Sequence, residues 1–345
     1  MTRNRLLFAT ILIALLAQET VRSQDLLKLV DSTPKKKEYV TRAFKSTRVI
    51  MGQSMEMLGK GVMDVRILHR FGYVNSGIYD FFGWDQGAQM RFGFDFGLSN
   101  NFMIGVGRTS LDKEYDVLAK WRPVQQATGP GASPFSILWT ADFTVNTSKS
   151  DQYFIFPNNI PAFTRVASGG DTTNVANTYG FSERWSLYSG VIIGRKFSEK
   201  FTAQLTPEVV LHHNYALRPS SVLDVNYAGT RPEVGNNTIV ALGIGARYRL
   251  SKHFAFVVDY HHIFSGLADG DGIDYQDPLS VGFDIETGGH VFQLHFSNAI
   301  GMTERSVLGA TTDKWSKGDF RFGFNLSRVF TIGGKSKNQS GAKKY

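Results

Sequence analysis

Histidine and carboxylate side chains separated by two or four residues are the first candidates for chemistry in this 345-residue chain. Glu208 and His212 stand at i and i+4, Asp259 and His261 at i and i+2, and His295 follows Gln293 by two. On extended backbone each of these pairs shares a face. Imidazole with carboxylate suits zinc or another transition metal, and imidazole alone can ligate haem iron. The neighbours His212-His213 and His261-His262 must point to opposite faces of a strand, so neither is a chelating pair. Without convergent ligand spacing, the expectation is of histidines serving as ordinary polar side chains, with no metal and no cofactor.

Other motifs are weaker. Asp269-Gly270-Asp271-Gly272-Ile273-Asp274-Tyr275-Gln276-Asp277 concentrates carboxylates as hard-cation loops do, but it departs from the EF-hand pattern after its second acid and lacks the distal glutamate. It reads as an acidic solvated loop. Gly105-Val106-Gly107 and Gly243-Ile244-Gly245 lie inside alternating stretches and not at a strand-to-helix turn, which removes the phosphate-cradling geometry. His262 or His213 could act as base of a lipid hydrolase on an outer wall, yet no serine has a recognisable nucleophile context. Cysteine is absent, which excludes disulfides, thiolate metal sites and cysteine nucleophiles together. No catalytic set is expected.

The elements that must position these residues are strands. Between 88 and 98, Gln89, Arg91, Gly93, Asp95 and Gly97 alternate with Ala88, Met90, Phe92, Phe94, Phe96 and Leu98, so that one face is wholly apolar. The same period recurs at 61–71, 101–109, 114–122, 135–145, 181–197, 201–213, 238–250, 253–264, 279–286, 290–299 and 318–330, making twelve strand candidates. About nine residues or more is the length a tilted membrane strand needs. Tight connections at 99–100, 198–200, 251–252 and 287–289 alternate with long ones at 146–180, 214–237, 266–278 and 301–317, the asymmetry of periplasmic turns and external loops. The stretch 123–134 must then be a rather long periplasmic connection. Outward aromatics gather near both strand ends, including Phe102, Trp121 and Phe201 at one and Phe71, Phe143 and Trp185 at the other, as two interfacial girdles would. The fold expected is all-β, an up-and-down antiparallel transmembrane β-barrel of about twelve strands, with fourteen as the alternative.

Arg3 and Arg5 precede an apolar run at 6–17 that is too short to span a bilayer as a helix, and Val21-Arg22-Ser23 offers a cleavage site. Residues 1–23 therefore read as a signal peptide, 24–60 as an N-terminal periplasmic lead or plug, 61–330 as the barrel and 331–345 as a basic periplasmic tail. The segment 44–57 has three open fates: a periplasmic lead, a plug entering the lumen, or an extra strand pair. The formal net charge of +8 is partly terminal, and no basic stripe with interleaved aromatics appears, so nucleic acid is not an expected partner. The expected partners are outer-membrane lipids, the barrel-assembly machinery and a small solute, and the expected location is the outer membrane.

On this register the inward face carries Arg66, Arg91, Asp95, Lys120, Asp142, Glu208, His212, Arg247, Asp259, His261 and His295. Two readings follow. The charges fill and stiffen the lumen by pairing with one another, or the cations on 61–71 and 114–122 attract an anionic solute in a channel or binding cavity. A structural or adaptor barrel that binds a partner through its loops is the alternative function.

The blocks His69-Arg70-Phe71-Gly72, Phe81-Phe82-Gly83, Gly288-Gly289-His290-Val291-Phe292-Gln293-Leu294 and Arg321-Phe322-Gly323-Phe324-Asn325-Leu326-Ser327-Arg328-Val329-Phe330 resemble an uncharacterised outer-membrane β-barrel family of Bacteroidetes type, domain of unknown function 5777. The likeness spans 44–330 and implies location and fold; it transfers no substrate and no catalytic residue.

Overall fold

Alternating side chains build the strands that the sequence predicts. A computed structural model of the protein describes residues 36–148, 184–216, 234–265 and 274–332, with residue 181 and four two-residue strand pieces between 154 and 173. The signal-peptide segment, the carboxylates at 269–271 and the tail from 333 lie outside the described residues. Met1–Lys37 and Glu38–Tyr345 separate as two units, and the second is the body described below.

Twelve strands form the wall: β1 (Val62–Tyr73), β2 (Gln89–Gly97), β3 (Phe102–Thr109), β4 (Glu114–Val124), β5 (Ser136–Asn146), β6 (Trp185–Lys196), β7 (Phe201–Ala216), β8 (Val234–Arg249), β9 (Phe254–Ser265), β10 (Leu279–Thr287), β11 (His290–Ser297) and β12 (Arg321–Thr331). Each pairs antiparallel with its sequence neighbours, and β12 closes on β1, so the wall has no free edge. No described helix is long and apolar enough to cross a membrane. Phe92, Phe94, Val117, Trp121, Trp139 and Ile193 project from the outer surface. Their polar alternates are buried inside.

The fourteen-strand alternative does not hold. Residues 43–58 instead run inside the barrel as a tight hairpin, in which Arg48 bridges Gln53, Val49 N donates to Gly52 O at 2.8 Å and Ser54 N donates to Thr47 O at 2.9 Å. The chain leading into it is held at the short-turn end, where Glu38–Tyr39 pairs with Ala127–Thr128 of the β4–β5 connection. From the opposite end the β11–β12 loop folds inward as well. Its residues from Ala299 through Thr311 are mostly buried, and it carries the short helix α1 (Glu304–Gly309), capped by Thr303, whose side chain accepts from Ser306 N. Hairpin and loop share one apolar cluster, with Phe44, Val49, Ile50, Met51 and Met55 from the first and Ala299 and Val307 from the second. The wall adds Leu138, Ile192 and Val257.

Alternation fails at one predicted position. The β7·β8 ladder is interrupted by a bulge between Val210 and His213, where His212 has a φ of +61°. A bulge inserts a residue and resets the parity of the strand beyond it.

The hairpin leaves the lumen past Gly97, where an added Cβ would stand 2.1 Å from the carbonyl oxygen of Gly59. Gly97→Val is therefore expected to lower the temperature at which the barrel loses its folded mobility in unheated gel electrophoresis. Gly87→Val, whose Cβ meets nothing within 4 Å, should leave that temperature unchanged.

Candidate functional site

The tip of the hairpin rests on a carboxylate. Asp259, inward on β9, accepts through one oxygen the successive backbone N–H groups of Ile50, Met51 and Gly52 at 3.1, 2.7 and 2.8 Å. Three convergent amides make an anion-binding concavity of the kind successive backbone N–H groups form elsewhere. The other Asp259 oxygen lies 3.2 Å from His261 Nε2, and His261 Nδ1 lies 2.6 Å from Glu208. Tyr188 O–H donates to the second Glu208 oxygen at 3.0 Å. Tyr188, Glu208, His261 and Asp259 thus form a connected polar row running from β6 to the hairpin. A cavity of ≈ 10 Å³ beside Gly52, Glu208 and His261 has room for about one water.

Other wall side chains bind the hairpin backbone around the whole circumference. Gln204 of β7 accepts from Met55 N and donates to Gln53 O, at 2.8 and 2.7 Å. Gln293 of β11 donates to Val49 O at 2.6 Å, and Asn325 of β12 to Ile50 O at 2.8 Å. Lys120 of β4 reaches Thr47 O and Glu56 O at 3.0 and 2.9 Å. Arg66 of β1 bonds Thr47 Oγ1 and Asp64, both at 2.5 Å, and lies 3.7 Å from Asp95.

Hairpin and loop meet at Glu304. Arg48 pairs with it at 2.8 Å, and Gln53 donates to the same oxygen at 2.7 Å. Burial pushes the Glu304 carboxyl up, but the Arg48 guanidinium and the hydrogen bond from Gln53 help hold it below its ordinary value. Farther out, Arg305 pairs with Glu114 and lies 3.5 Å from Asp112, while Thr303 donates to Glu114 at 2.9 Å. Burial beside Glu114 raises Asp112 to about 6 despite Arg305.

Of the residues expected in the lumen, Arg66, Arg91, Asp95, Lys120, Asp142, Glu208, Arg247, Asp259, His261 and His295 are all buried. Arg91 is paired with Asp116, Arg247 lies 3.6 Å from Asp284, and His295 lies over Gly323 beside the Arg70 stem. His212 is misplaced by the simple register. The bulge turns its ring onto outward-facing Trp185, stacked at 4.0 Å between centroids, with Nδ1 3.0 Å from Trp185 O. Glu208 and His212 therefore do not share a face. Of the cations of β1 and β4, Arg66 is matched by carboxylates and Lys120 by carbonyls, whereas Arg70 bonds the His69 carbonyl and Asn325 and leaves its Nε and Nη2 without a hydrogen bond among the described residues.

Arg48, Gln53, Tyr188 and Glu304 escaped the sequence reading. A Thr303-Glu304-Arg305-Ser306 helix start was the available signal for the inward loop. Outside the wall, His262 Nδ1 lies 2.8 Å from Asp277, and among the described hydrogen bonds it meets only Asp277 and Tyr260. Asp274 is paired with Lys314. The side chain of His213 lies outside the described residues, and no described group of three or more histidines and carboxylates is arranged to hold a metal.

A closed wall, apolar outside and carrying a buried network of charge inside, defines a β-barrel of the outer membrane. The chain belongs to the membrane bound beta barrel domain family (DUF5777), whose model matches residues 44–330, hairpin and α1 loop included. Among solved structures it is similar to the NanC porin, at 8% identity and a TM-score of 0.43 over 78% of this chain and 98% of that one. An outer membrane channel from Pseudomonas putida F1 gives 13% and 0.42 over 80% and 98%, and the CymD monoaromatic hydrocarbon channel 12% and 0.36 over 79% and 89%. No curated protein matches.

Removing one partner of a buried ion pair costs about 3 kcal/mol or more. Arg48→Ala should accordingly reduce hydrogen-exchange protection of the Ile50, Met51 and Gly52 amides by roughly a hundredfold. The Asp112 shift gives folding stability a pH dependence. Its folded carboxyl holds a proton between the ordinary 3.8 and about 6, where an unfolded aspartate has lost it. The contribution of this group to folding stability is thus full below that window and is lost as pH rises through it. The temperature at which the barrel loses its folded gel mobility should fall across this range, and Asp112→Asn should flatten the profile.

Proposed function

We propose that the protein is a gated conduit for a small polar solute, closed at rest by the hairpin and the α1 loop. The observation that carries this reading is the division of labour inside the barrel. In the central cluster the inserted segments supply eight of the eleven buried residues, whereas the inward wall mixes apolar residues such as Leu138, Ile192 and Val257 with many polar and charged ones. Withdrawal of the hairpin would leave a wall that water can solvate. The hairpin backbone is held by side chain to backbone hydrogen bonds, which water can replace at a net cost of about 1 kcal/mol for a neutral partner and about 1.5–3 kcal/mol for a charged one, and its apolar residues are held by the cluster shared with the α1 loop.

The expected solute class differs from the anion suggested by the cations of β1 and β4. On the inward wall, Asp64, Asp95, Glu114, Asp116, Asp142, Glu208, Asp259 and Asp284 outnumber Arg66, Arg70, Arg91, Lys120, Arg247 and Arg321. Asp259 loses its three amide partners when the hairpin withdraws. An emptied lumen would favour cations.

Conductance in planar bilayers tests the proposal. The full chain should be closed for most of the recording, and deletion of 43–57 should yield a steady conductance with cation-selective reversal in a salt gradient. Gly52→Leu, which drives a side chain into the space held by His261, should open the full chain intermittently. A deletion variant that is folded, inserted and still non-conducting would overturn the proposal.

A further inference from the structure

The β1–β2 loop carries the most exposed apolar side chains of the wall's neighbourhood. Ile78 is 82% and Tyr79 92% exposed, well beyond lipid-facing wall residues such as Phe94 at 41% and Trp121 at 49%. Phe81 and Phe82 next to them are also about half exposed, and both hold a positive φ, +45° and +55°. Bulky residues rarely adopt that region, so the backbone accepts strain to present these rings outward.

The loop does not project freely into water. Trp84 stacks at 5.3 Å on Phe71 of β1 and at 5.2 Å on Phe322 of β12, both members of the outward girdle at the long-loop end. Phe81 then packs edge-on against Trp84 at 5.9 Å. A close approach fixes this fold-back: a Cβ on Gly83 would meet the Gly72 carbonyl oxygen at 2.5 Å. Gln86 ties the ends together, accepting from Tyr73 N at 3.3 Å and donating to Asp80 at 2.9 Å. The apolar tip is thus continuous with the membrane-facing wall. Between 74 and 88 the only charges are Asp80 and Asp85, so the attraction cannot be a cationic one for anionic headgroups.

We propose that this loop is a membrane anchor, its tip of Ile78 and Tyr79 immersed at the acyl-chain boundary of the outer leaflet beside the β12–β1 seam. The occupant is lipid because the stack joins the tip to a surface already facing lipid. Phe81-Phe82-Gly83 gains a physical task from this placement, two rings turned toward the bilayer and a glycine that lets the loop lie against β1.

The absence of cysteine makes the test direct. Full-length Tyr79→Cys and Asn100→Cys, the latter in an exposed turn at the other end, would each carry one environment-sensitive fluorophore in phosphatidylcholine–phosphatidylglycerol vesicles. The label at 79 should emit at shorter wavelength than that at 100. It should also be quenched severalfold more by lipids brominated on the acyl chain and severalfold less by aqueous iodide. Equal iodide quenching at both sites, with no effect of brominated lipid at 79, would overturn the proposal and leave the tip as a surface for a protein partner.

Discussion

A closed wall of twelve strands sends every second side chain into a space that those side chains alone do not fill. Eight strands leave an interior that side chains can occupy, and sixteen leave an aqueous channel. Twelve fall between the two. Here the remaining volume is taken by chain from both ends of the barrel, the hairpin at 43–58 and the loop bearing α1. The placement of charge, the apolar cluster and the pairing of Arg48 with Glu304 all follow from that filling.

Filling a barrel with irregular chain raises a problem of its own. Backbone N–H and C=O groups of a short hairpin lack the ladder partners that a strand would supply, and buried without partners they destabilise the fold. The wall answers with long or branched polar side chains that reach the axis. Asp259 accepts amides, Gln293, Asn325 and Lys120 donate to carbonyls, and Gln204 does both. Polar residues therefore hold the peptide groups, while Val49, Ile50 and Met51 meet the α1 loop through apolar contact.

The wall was legible because alternation is a property of each strand by itself. All twelve strands could be placed, and the charged inner face followed from their period. What could not be read depends on partners without a periodic signal. The fate of 44–57 stayed open because a hairpin of two short arms shows neither helical nor strand period over enough residues. Asp259 could be placed inward, but its partners are amides, which leave no mark in side-chain sequence. Glu304 opens a short helix inside a loop, where the cap marks the helix start but not the side of the wall it enters. His212 failed for a geometric reason, since a bulge shifts parity without changing composition.

The strand pair between Glu38–Tyr39 and Ala127–Thr128 ties the chain before the hairpin to the rim, and β1 fixes the chain after it. The hairpin is thus tethered on both sides. A segment displaced from the lumen would remain at an effective concentration of about a millimolar or more relative to its own binding site. Rebinding would be unimolecular and would need no search through the periplasm. Such a double tether would favour brief excursions over lasting release, and it keeps the segment that fills the barrel from being lost to dilution.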